Sequence, residues 1–512
     1  MGSIIQDIRQ RRSRPVEIVP VVEPLDRDID PLEAFRRLNG RKAFLLESAE
    51  TGGKSARYSF IGAGDRAIRI SGGCITVDSQ DIGPYPGGPV AFLKDFMAGF
   101  RTGPPVYLFE ESFGRTVPAP PPFFGGLVGY IAYDFVRYVD NIGATACDDL
   151  GCADADLLLA EDLIVFDHAA DVKMLVAGAR GGDKRSLLDA RERLRATKEA
   201  LSMPASAQPS RAPASVSVRY PTTKEQFMDM VTRSKEYILD GDAFQIVLSQ
   251  RAEIEADVDH AALYRTLKAI NPSPYMYLLE FGDAAVVGSS PEILVKVEDG
   301  KVIVRPIAGT RPRGRSEEED LELEADMKAD PKEVAEHVML VDLGRNDVGK
   351  VAKFGTVSVN DFMTTEKYSH VQHIVSNVVG DLAEEKDMVD VLAATFPAGT
   401  VSGAPKTRAM QIIEELEGRR RGLYAGCVGY LSFSGNMDMA IAIRTILLKG
   451  GKAYVQAGAG IVMDSDPARE YVEAMNKGAA MIRALETAAA SQPQAVSRMA
   501  DASEELPGGR QQ

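Results

Sequence analysis

The sequence predicts an α+β fold built on antiparallel sheet, and three observations carry that prediction. Strand-like and helix-like segments do not alternate in the regular βαβ rhythm that a doubly wound sheet or a TIM barrel requires. At 512 residues the chain exceeds one ordinary compact domain. Between Met203 and Ser217 its composition falls to Ala, Pro, Ser and Gln with one Arg, too little apolar surface to offset ordering, which marks a boundary.

In chain order, residues 1–20 read as a solvated arm: Arg9, Arg11, Arg12 and Arg14 precede Pro15 and Glu17, where a secretory signal would need an apolar core. Residues 21–202 read as an N-terminal α+β unit, with short apolar runs at 43–46, 67–70 and 163–166, a turn at Gly72-Gly73 and a charged helix at 186–201. Residues 203–220 form the linker and residues 221–487 a larger domain. That domain opens on Thr222-x-x-Glu225, a capping-box pattern, followed by Phe227, Met230, Val231, Tyr237 and Ile238 at helical spacing and stopped by Gly241. Two later helices begin at Asp330-Pro331 and Asp466-Pro467, where the carboxylate caps an orphan N–H and proline is preset for the first helical position. Residues 488–512, with Leu506-Pro507-Gly508-Gly509, read as a disordered tail.

The charge balance is 59 − 74 = −15, which repels phosphate backbones and anionic lipid and argues against nucleic acid or membrane partners. No apolar stretch reaches the roughly 20 residues of a membrane helix. The four cysteines, Cys74, Cys147, Cys152 and Cys427, make no C-x-x-C pair and are too sparse to staple the chain, which points to a reducing cytoplasm.

Three apparent signatures fail on physical grounds. Gly399-Thr-Val-Ser-Gly403-Ala-Pro-Lys406 has the wrong spacing for a P-loop and places Pro405 where the phosphate nest needs an N–H. Gly458-Ala-Gly460 has Met463 where a dinucleotide fingerprint wants its third glycine. His370-x-x-His373 lies in a β-branched run, 368–379, and residues three apart on a strand face opposite ways.

Glu333 and Glu336 share a face of the first Asp-Pro helix, and Glu470 and Glu473 share one on the second. Each pair alone reads as a solvated face. Facing each other, they would form an all-oxygen site suited to Mg²⁺. Lys477 stands one turn beyond Glu473, in the order that favours an intrahelical pair, and Arg444 ends an apolar run, where an arginine either snorkels or grips an anion.

Gly288-Ser-Ser-Pro-Glu292, Pro306-Ile-Ala-Gly-Thr310-Arg-Pro-Arg313, Glu336-His-Val-Met-Leu-Val-Asp-Leu-Gly-Arg-Asn-Asp347, the Gly399 segment and Gln456-Ala-Gly-Ala-Gly460 stand in one order along the chain. In that order they resemble the chorismate-utilising enzymes, most closely the large subunits (component I) of anthranilate synthases. The resemblance covers residues 45–481. It implies a large antiparallel β-sandwich-like chorismate-binding domain with outer helices and a smaller N-terminal α+β domain packed against it.

It further implies Mg²⁺ held by Glu336 and Glu473 and supported by Glu333 and Glu470. Chorismate contacts would come from Gly309, Thr310, Thr400, Tyr424, Arg444, Gly458, Ala459, Gly460 and Lys477. Glu292 would be the general acid for the departing hydroxyl, and His373 would serve the elimination half. Relatives that add water carry a lysine base where this chain has Gln245, and relatives making 4-amino-4-deoxychorismate carry a lysine nucleophile where it has Ala308. Glu47, Ser48, Pro274, Tyr275 and Met276 match the two halves of a tryptophan feedback site. The chain has no cysteine in a nucleophile-elbow context, so a separate glutamine amidotransferase subunit (component II) is expected to supply ammonia in a hetero-oligomer.

Overall fold

The computed structural model describes residues 8, 10–38, 42–48, 57–108, 120–205, 216–368 and 371–490. Among them, two sheets of 14 and 12 strands dominate. In the larger, Ser217–Arg219, Gln245–Glu255, Lys452–Ile461, Thr445–Lys449, Ala284–Ser290 and Tyr275–Glu280 continue without a break into Ala43–Glu47 and five further strands in line from the first half of the chain. In the smaller, Ile307–Pro312, Val371–Asp381, Lys301–Val304, Ile293–Glu298, Met437–Ile441 and Cys427–Ser432 continue into Gly126–Ile131 in the same way. Each half of the chain thus contributes to both sheets. The seams are antiparallel ladders, Met276 opposite Glu47 and Gly429 opposite Gly129.

The sheets pack face to face over one apolar layer that includes Phe44, Phe60, Phe123, Tyr130, Tyr277 and Tyr430. Phe123 stacks on Tyr430 with centroids 4.6 Å apart, and Phe60 meets Phe123 edge-on at 5.4 Å. Helices cover the outer faces. His260–Ile270 and Pro467–Ala490 bury Leu263, Leu267, Met481 and Leu485 on the larger sheet, while Met388–Thr395 and Pro331–Gly349 bury Val391, Leu392, Val341 and Val348 on the smaller. This is the expected sandwich with outer helices. Among the described residues no helix is long and apolar enough to cross a membrane.

Local signals place most elements, with shifts that have physical causes. Asp330 accepts from the Lys332 N–H at 2.9 Å and Asp466 from the Arg469 N–H at 2.9 Å, each before a proline in the first turn. The capping box lies one residue later than Thr222 and Glu225: Thr223 adopts the extended cap conformation, and the Gln226 side chain closes the box, accepting from the Thr223 N–H at 2.8 Å. The charged helix is Lys184–Ala200, started early by Asp183.

The ends of the chain also differ from expectation. The arm gives way to a strand at Val16–Pro24, and the linker ends in the strand Ser217–Arg219; residues 1–7, 9 and 206–215 lie outside the described residues. The last helix runs to Ala490 because Ala488 and Ala489 are buried, so only 491–512 of the expected tail lies outside.

Gly429 marks how tightly the smaller sheet is built beside its seam, since a Cβ there would stand 2.0 Å from the Asp438 carbonyl oxygen of the neighbouring strand Met437–Ile441. Gly429→Ala is expected to cost about 1–3 kcal/mol, whereas Gly64→Ala, with nothing within 4 Å, leaves stability unchanged. Unfolding midpoints of the two variants, compared with the unsubstituted protein, check this; equal midpoints would contradict the seam geometry.

Candidate active site

Two neighbouring corners build the centre of the site. The chain leaves the larger sheet at Ser290 and enters the smaller at Ile293, placing Glu292 at the crossing. It returns from Ile441 to Thr445, placing Arg444 at the second crossing in a left-handed backbone (φ +51°). The corners are tied together: the Ile441 N–H donates to the Glu292 carbonyl at 2.9 Å and the Ser289 N–H to the Arg444 carbonyl at 3.1 Å.

Glu292 accepts a hydrogen bond from the Thr400 hydroxyl at 3.1 Å. Thr400 lies in a single helical turn, Gly399–Ser402, and Pro405 caps the following helix Lys406–Glu417, so the segment is a side-chain platform, not a phosphate nest. Desolvation pushes the Glu292 pKa above the usual carboxylate range, opposed by Thr400, Lys477 and Arg444 and reinforced by Glu336. The same desolvation pushes the Arg444 pKa down, and its guanidinium makes no hydrogen bond or ion pair among the described residues. A desolvated guanidinium left unpaired is an anion receptor.

A second receptor is backbone. Gly458, Ala459 and Gly460 lie inside the strand Lys452–Ile461, paired with Ser249, Leu248 and Val247 on one side. On the other side the ladder ends at Val455 opposite Ile446, so this segment presents an open edge whose outward N–H groups can donate to an anion. Both glycines admit close neighbours. A Cβ at Gly458 would meet the Tyr424 hydroxyl at 2.9 Å, and one at Gly460 would meet the Gln245 amide nitrogen at 2.6 Å. Burial raises the Tyr424 pKa to about 12, which keeps it a neutral donor.

The four glutamates stand on two helices and hold separate partners. Glu336 accepts from the Gln245 amide at 3.1 Å, Glu333 pairs with Arg311 at 3.0 Å and Glu473 with Lys477 at 2.7 Å. Burial raises the Glu470 pKa, opposed by a hydrogen bond from Ser465 and by Lys332 of the facing helix. Among the described residues no three His, Cys, Asp or Glu side chains come together as a ligand set. Like carboxylates repel, and each settles on its own donor.

His373 faces the cleft from the strand Val371–Asp381; His370 lies outside the described residues. Its Nδ1 is 2.8 Å from the Gly309 carbonyl and 3.1 Å from the Thr310 hydroxyl. A carbonyl only accepts, so Nδ1 carries the proton and Nε2 is left as the basic atom. Burial lowers the His373 pKa, favouring the neutral ring. Gly309 is left-handed (φ +68°), which turns its carbonyl to this contact.

The second cluster of predicted residues also assembles. Glu47, Ser48, Pro274, Tyr275 and Met276 line one cavity of about 1760 Å³. Glu47 is buried and accepts from the Tyr264 hydroxyl at 2.6 Å and the Lys268 ammonium at 2.7 Å, while the buried Ser48 hydroxyl has no partner among the described residues.

Comparison with known proteins gives the family. Residues 106–483 match the family described as chorismate binding enzyme. The chain belongs to the chorismate-binding enzymes. It is 43% identical over 490 residues to the protein named anthranilate synthase component 1 of Acetivibrio thermocellus, covering 93% of this chain and 97% of that one. It is 46% identical over 502 residues to its namesake in Aquifex aeolicus (strain VF5), covering 95% and 98%. The solved anthranilate synthase component I of Streptococcus pneumoniae TIGR4 superposes with a TM-score of 0.73 at 37% identity, covering 89% of this chain and 98% of that one.

Three residues of this chorismate-binding enzyme escaped the sequence reading. Arg421, hidden in the run Arg419-Arg420-Arg421, is almost wholly buried behind Tyr424. Lys406, buried with a lowered pKa, donates to Asp347 at 2.6 Å and ties the Thr400 segment to the Pro331 helix. Asp438 lines the large cavity, where burial pushes its pKa up to about 6 against Lys296 and a hydrogen bond from Tyr275. A lone carboxylate between Met437 and Met439 in an apolar strand was the available signal.

Asp438 sets a pH-dependent expectation. Its folded pKa lies above the unfolded value, so the stability it retains below about pH 4 is lost as pH rises to about 6. Asp438→Asn should match the unsubstituted protein near pH 4 and exceed it in thermal midpoint above pH 6; a gap that does not change with pH would contradict this.

Proposed function

We propose that the chain is the large subunit of an anthranilate synthase, converting chorismate and ammonia to anthranilate, pyruvate and water in the first step of tryptophan biosynthesis. The observation that carries the reading is the desolvated Glu292 beside Arg444, with the open edge at Gly458–Gly460 brought to the same place by Tyr424. Chorismate bears two carboxylates, and two receptors in one cleft match them.

With its raised pKa, Glu292 can hold a proton and deliver it to the ring hydroxyl, which must leave as water, while Thr400 orients the carboxyl. Gln245 offers an amide where a water-adding enzyme needs a base, and its Oε1, buried without a partner among the described residues, is an acceptor. Ala308 supplies no amine, which disfavours covalent attack on the substrate. After ammonia adds at C2, the Nε2 atom of His373 takes the C2 proton as the enolpyruvyl group leaves as pyruvate. Lys477 and Tyr424 supply further donors around the bound dianion.

In this reading Glu336 and Glu473 hold Mg²⁺, with Glu333 and Glu470 in support. The ion would offset the ring carboxylate's charge inside an acidic protein. Glutamine is used only through a partner amidotransferase subunit. Tryptophan inhibits from the cavity at Glu47, Ser48 and Pro274–Met276, where the buried Ser48 hydroxyl is free to bond a ligand.

Incubation with chorismate, Mg²⁺ and ammonium should yield fluorescent anthranilate, and glutamine alone should yield none. Glu292→Gln should lower kcat by about 10²–10⁴-fold. Normal turnover in Glu336→Gln or Glu473→Gln would overturn the metal assignment, and formation of a non-aromatic amino product would overturn the reaction.

A further inference from the structure

The strand Ser358–Lys367 pairs with Val371–Asp381 in a register that sets Glu366 directly opposite His373. Directly opposed residues share a face, with Cβ atoms about 4.5–5.5 Å apart. On the other side of Val371–Asp381, Thr310 stands opposite the same histidine. One imidazole is thus flanked from two strands.

Tyr368, two residues beyond Glu366, packs edge-on against the His373 ring, with centroids 5.5 Å apart and planes at 64°. Its place is fixed at three points. The Tyr368 N–H donates to the Val371 carbonyl at 2.8 Å, its carbonyl accepts from Arg313 at 2.7 Å, and its hydroxyl donates to the Glu366 carboxylate at 3.0 Å. Arg305 donates to the other Glu366 oxygen. Two donors therefore hold the Glu366 carboxylate, and His373 is neither of them.

The elimination gives both residues work. The bond from Nδ1 to the Gly309 carbonyl fixes one point of the imidazole and leaves the ring free to tilt about it, and the Tyr368 ring packed against it limits that tilt and so aims Nε2. When Nε2 takes the C2 proton, the C2–H electron pair completes the aromatic ring and the C3–O bond breaks. Enolpyruvate leaves with the electron pair of that bond and is protonated to pyruvate. The imidazole becomes an imidazolium where burial, first, and Arg444 oppose positive charge, while Glu366 and Glu333 favour it. A fixed carboxylate across the strand offsets the charge that the transfer creates.

We infer that Tyr368 and Glu366 are positioning residues for His373, Tyr368 setting the tilt of the ring and Glu366 holding both Tyr368 and the charge of the imidazolium, and that they serve the elimination and not the addition of ammonia. The inference rests on the reading of His373 as the base of the elimination. Both residues act through His373.

Single-turnover reactions of the full chain with chorismate, Mg²⁺ and ammonium, quenched in time and analysed for chorismate, the non-aromatic amino adduct and anthranilate, separate the two halves. His373→Asn shows how long the adduct lasts without its base. Tyr368→Leu and Glu366→Gln should slow decay of the adduct by about tenfold or more, while chorismate disappears within about twofold of the normal rate. Tyr368→Phe, which keeps the ring and loses only the bond to Glu366, should fall between those variants and the unsubstituted protein. Normal decay of the adduct in Tyr368→Leu or Glu366→Gln overturns the inference, and so does a loss shared equally by both halves, as a loosened hairpin would give. Should Tyr368→Leu not fold, Tyr368→Phe and Glu366→Gln, which keep the side-chain shapes, decide the question. Normal decay in His373→Asn overturns the reading of His373 and the inference with it, whereas an unsubstituted protein that forms neither adduct nor anthranilate overturns the proposed reaction.

Discussion

The paired corners at Glu292 and Arg444 are the constraint on which the rest of the molecule depends. Two sheets packed as a sandwich normally exchange strands through loops at their ends, far from the core. Here two crossings lie side by side and bond to each other through the Ile441 N–H and the Ser289 N–H. A carboxylate on one corner and a guanidinium on the other are thereby fixed within electrostatic reach while neither is neutralised by a hydrogen bond to the other. Proteins usually pair such charges. Leaving them unpaired costs stability, and that cost falls when an anion and a proton-accepting oxygen enter between them.

Holding two uncompensated groups apart requires rigid surroundings, and buried ion pairs supply them. Arg421 distributes its donors over Glu417 at 2.6 and 2.9 Å, the Val401 carbonyl at 2.7 Å and the Val247 carbonyl at 2.6 Å. One guanidinium thus joins the Thr400 turn to the Gln245 strand, and its face lies against the rings of Tyr133 and Tyr424. Lys406 and Asp347 do the same between that turn and the helix bearing Glu336. Removing one partner of such a pair leaves a buried charge, at about 3–5 kcal/mol. These networks therefore fix geometry more than they add net stability.

What was legible in the sequence follows from the range of the interactions. Helix starts at Asp330-Pro331 and Asp466-Pro467 are decided within one turn, and they stand as read. The capping box shifted by one residue because Thr222 and Thr223 compete for one cap and Gln226 serves as well as a glutamate. The shared helical faces of the glutamate pairs were readable from spacing; that Arg311 and Gln245 claim two of those carboxylates was not, since those residues are 22 and 91 positions away. That His373 lies on a strand followed from the β-branched run, but which partner its ring meets depends on Gly309, in another strand. Arg421 was invisible for a different reason. In a run of three arginines the expectation is solvation, and only the tertiary fold decides that the third turns inward.

The cavity at Ser48 and Met276 and the corner at Arg444 share one strand because the two halves of the chain share their sheets. Had the first half formed a separate layer, a ligand between the halves could act only by moving one body against another. With Ala43–Glu47 hydrogen-bonded to Tyr275–Glu280, and that strand bonded to Ala284–Ser290, a disturbance at the seam is carried along a continuous ladder toward Ser289. Close-packed interiors transmit such strain because they have few voids to absorb it. Gly288 has no side chain to yield where Tyr277 crosses it, so a shift of the cavity strand has to appear either in the ladder register or at Thr445. The register is fixed by the buried residues alternating along Tyr275–Glu280, and slipping it by one would turn Tyr277 and Leu279 out of the inter-sheet layer.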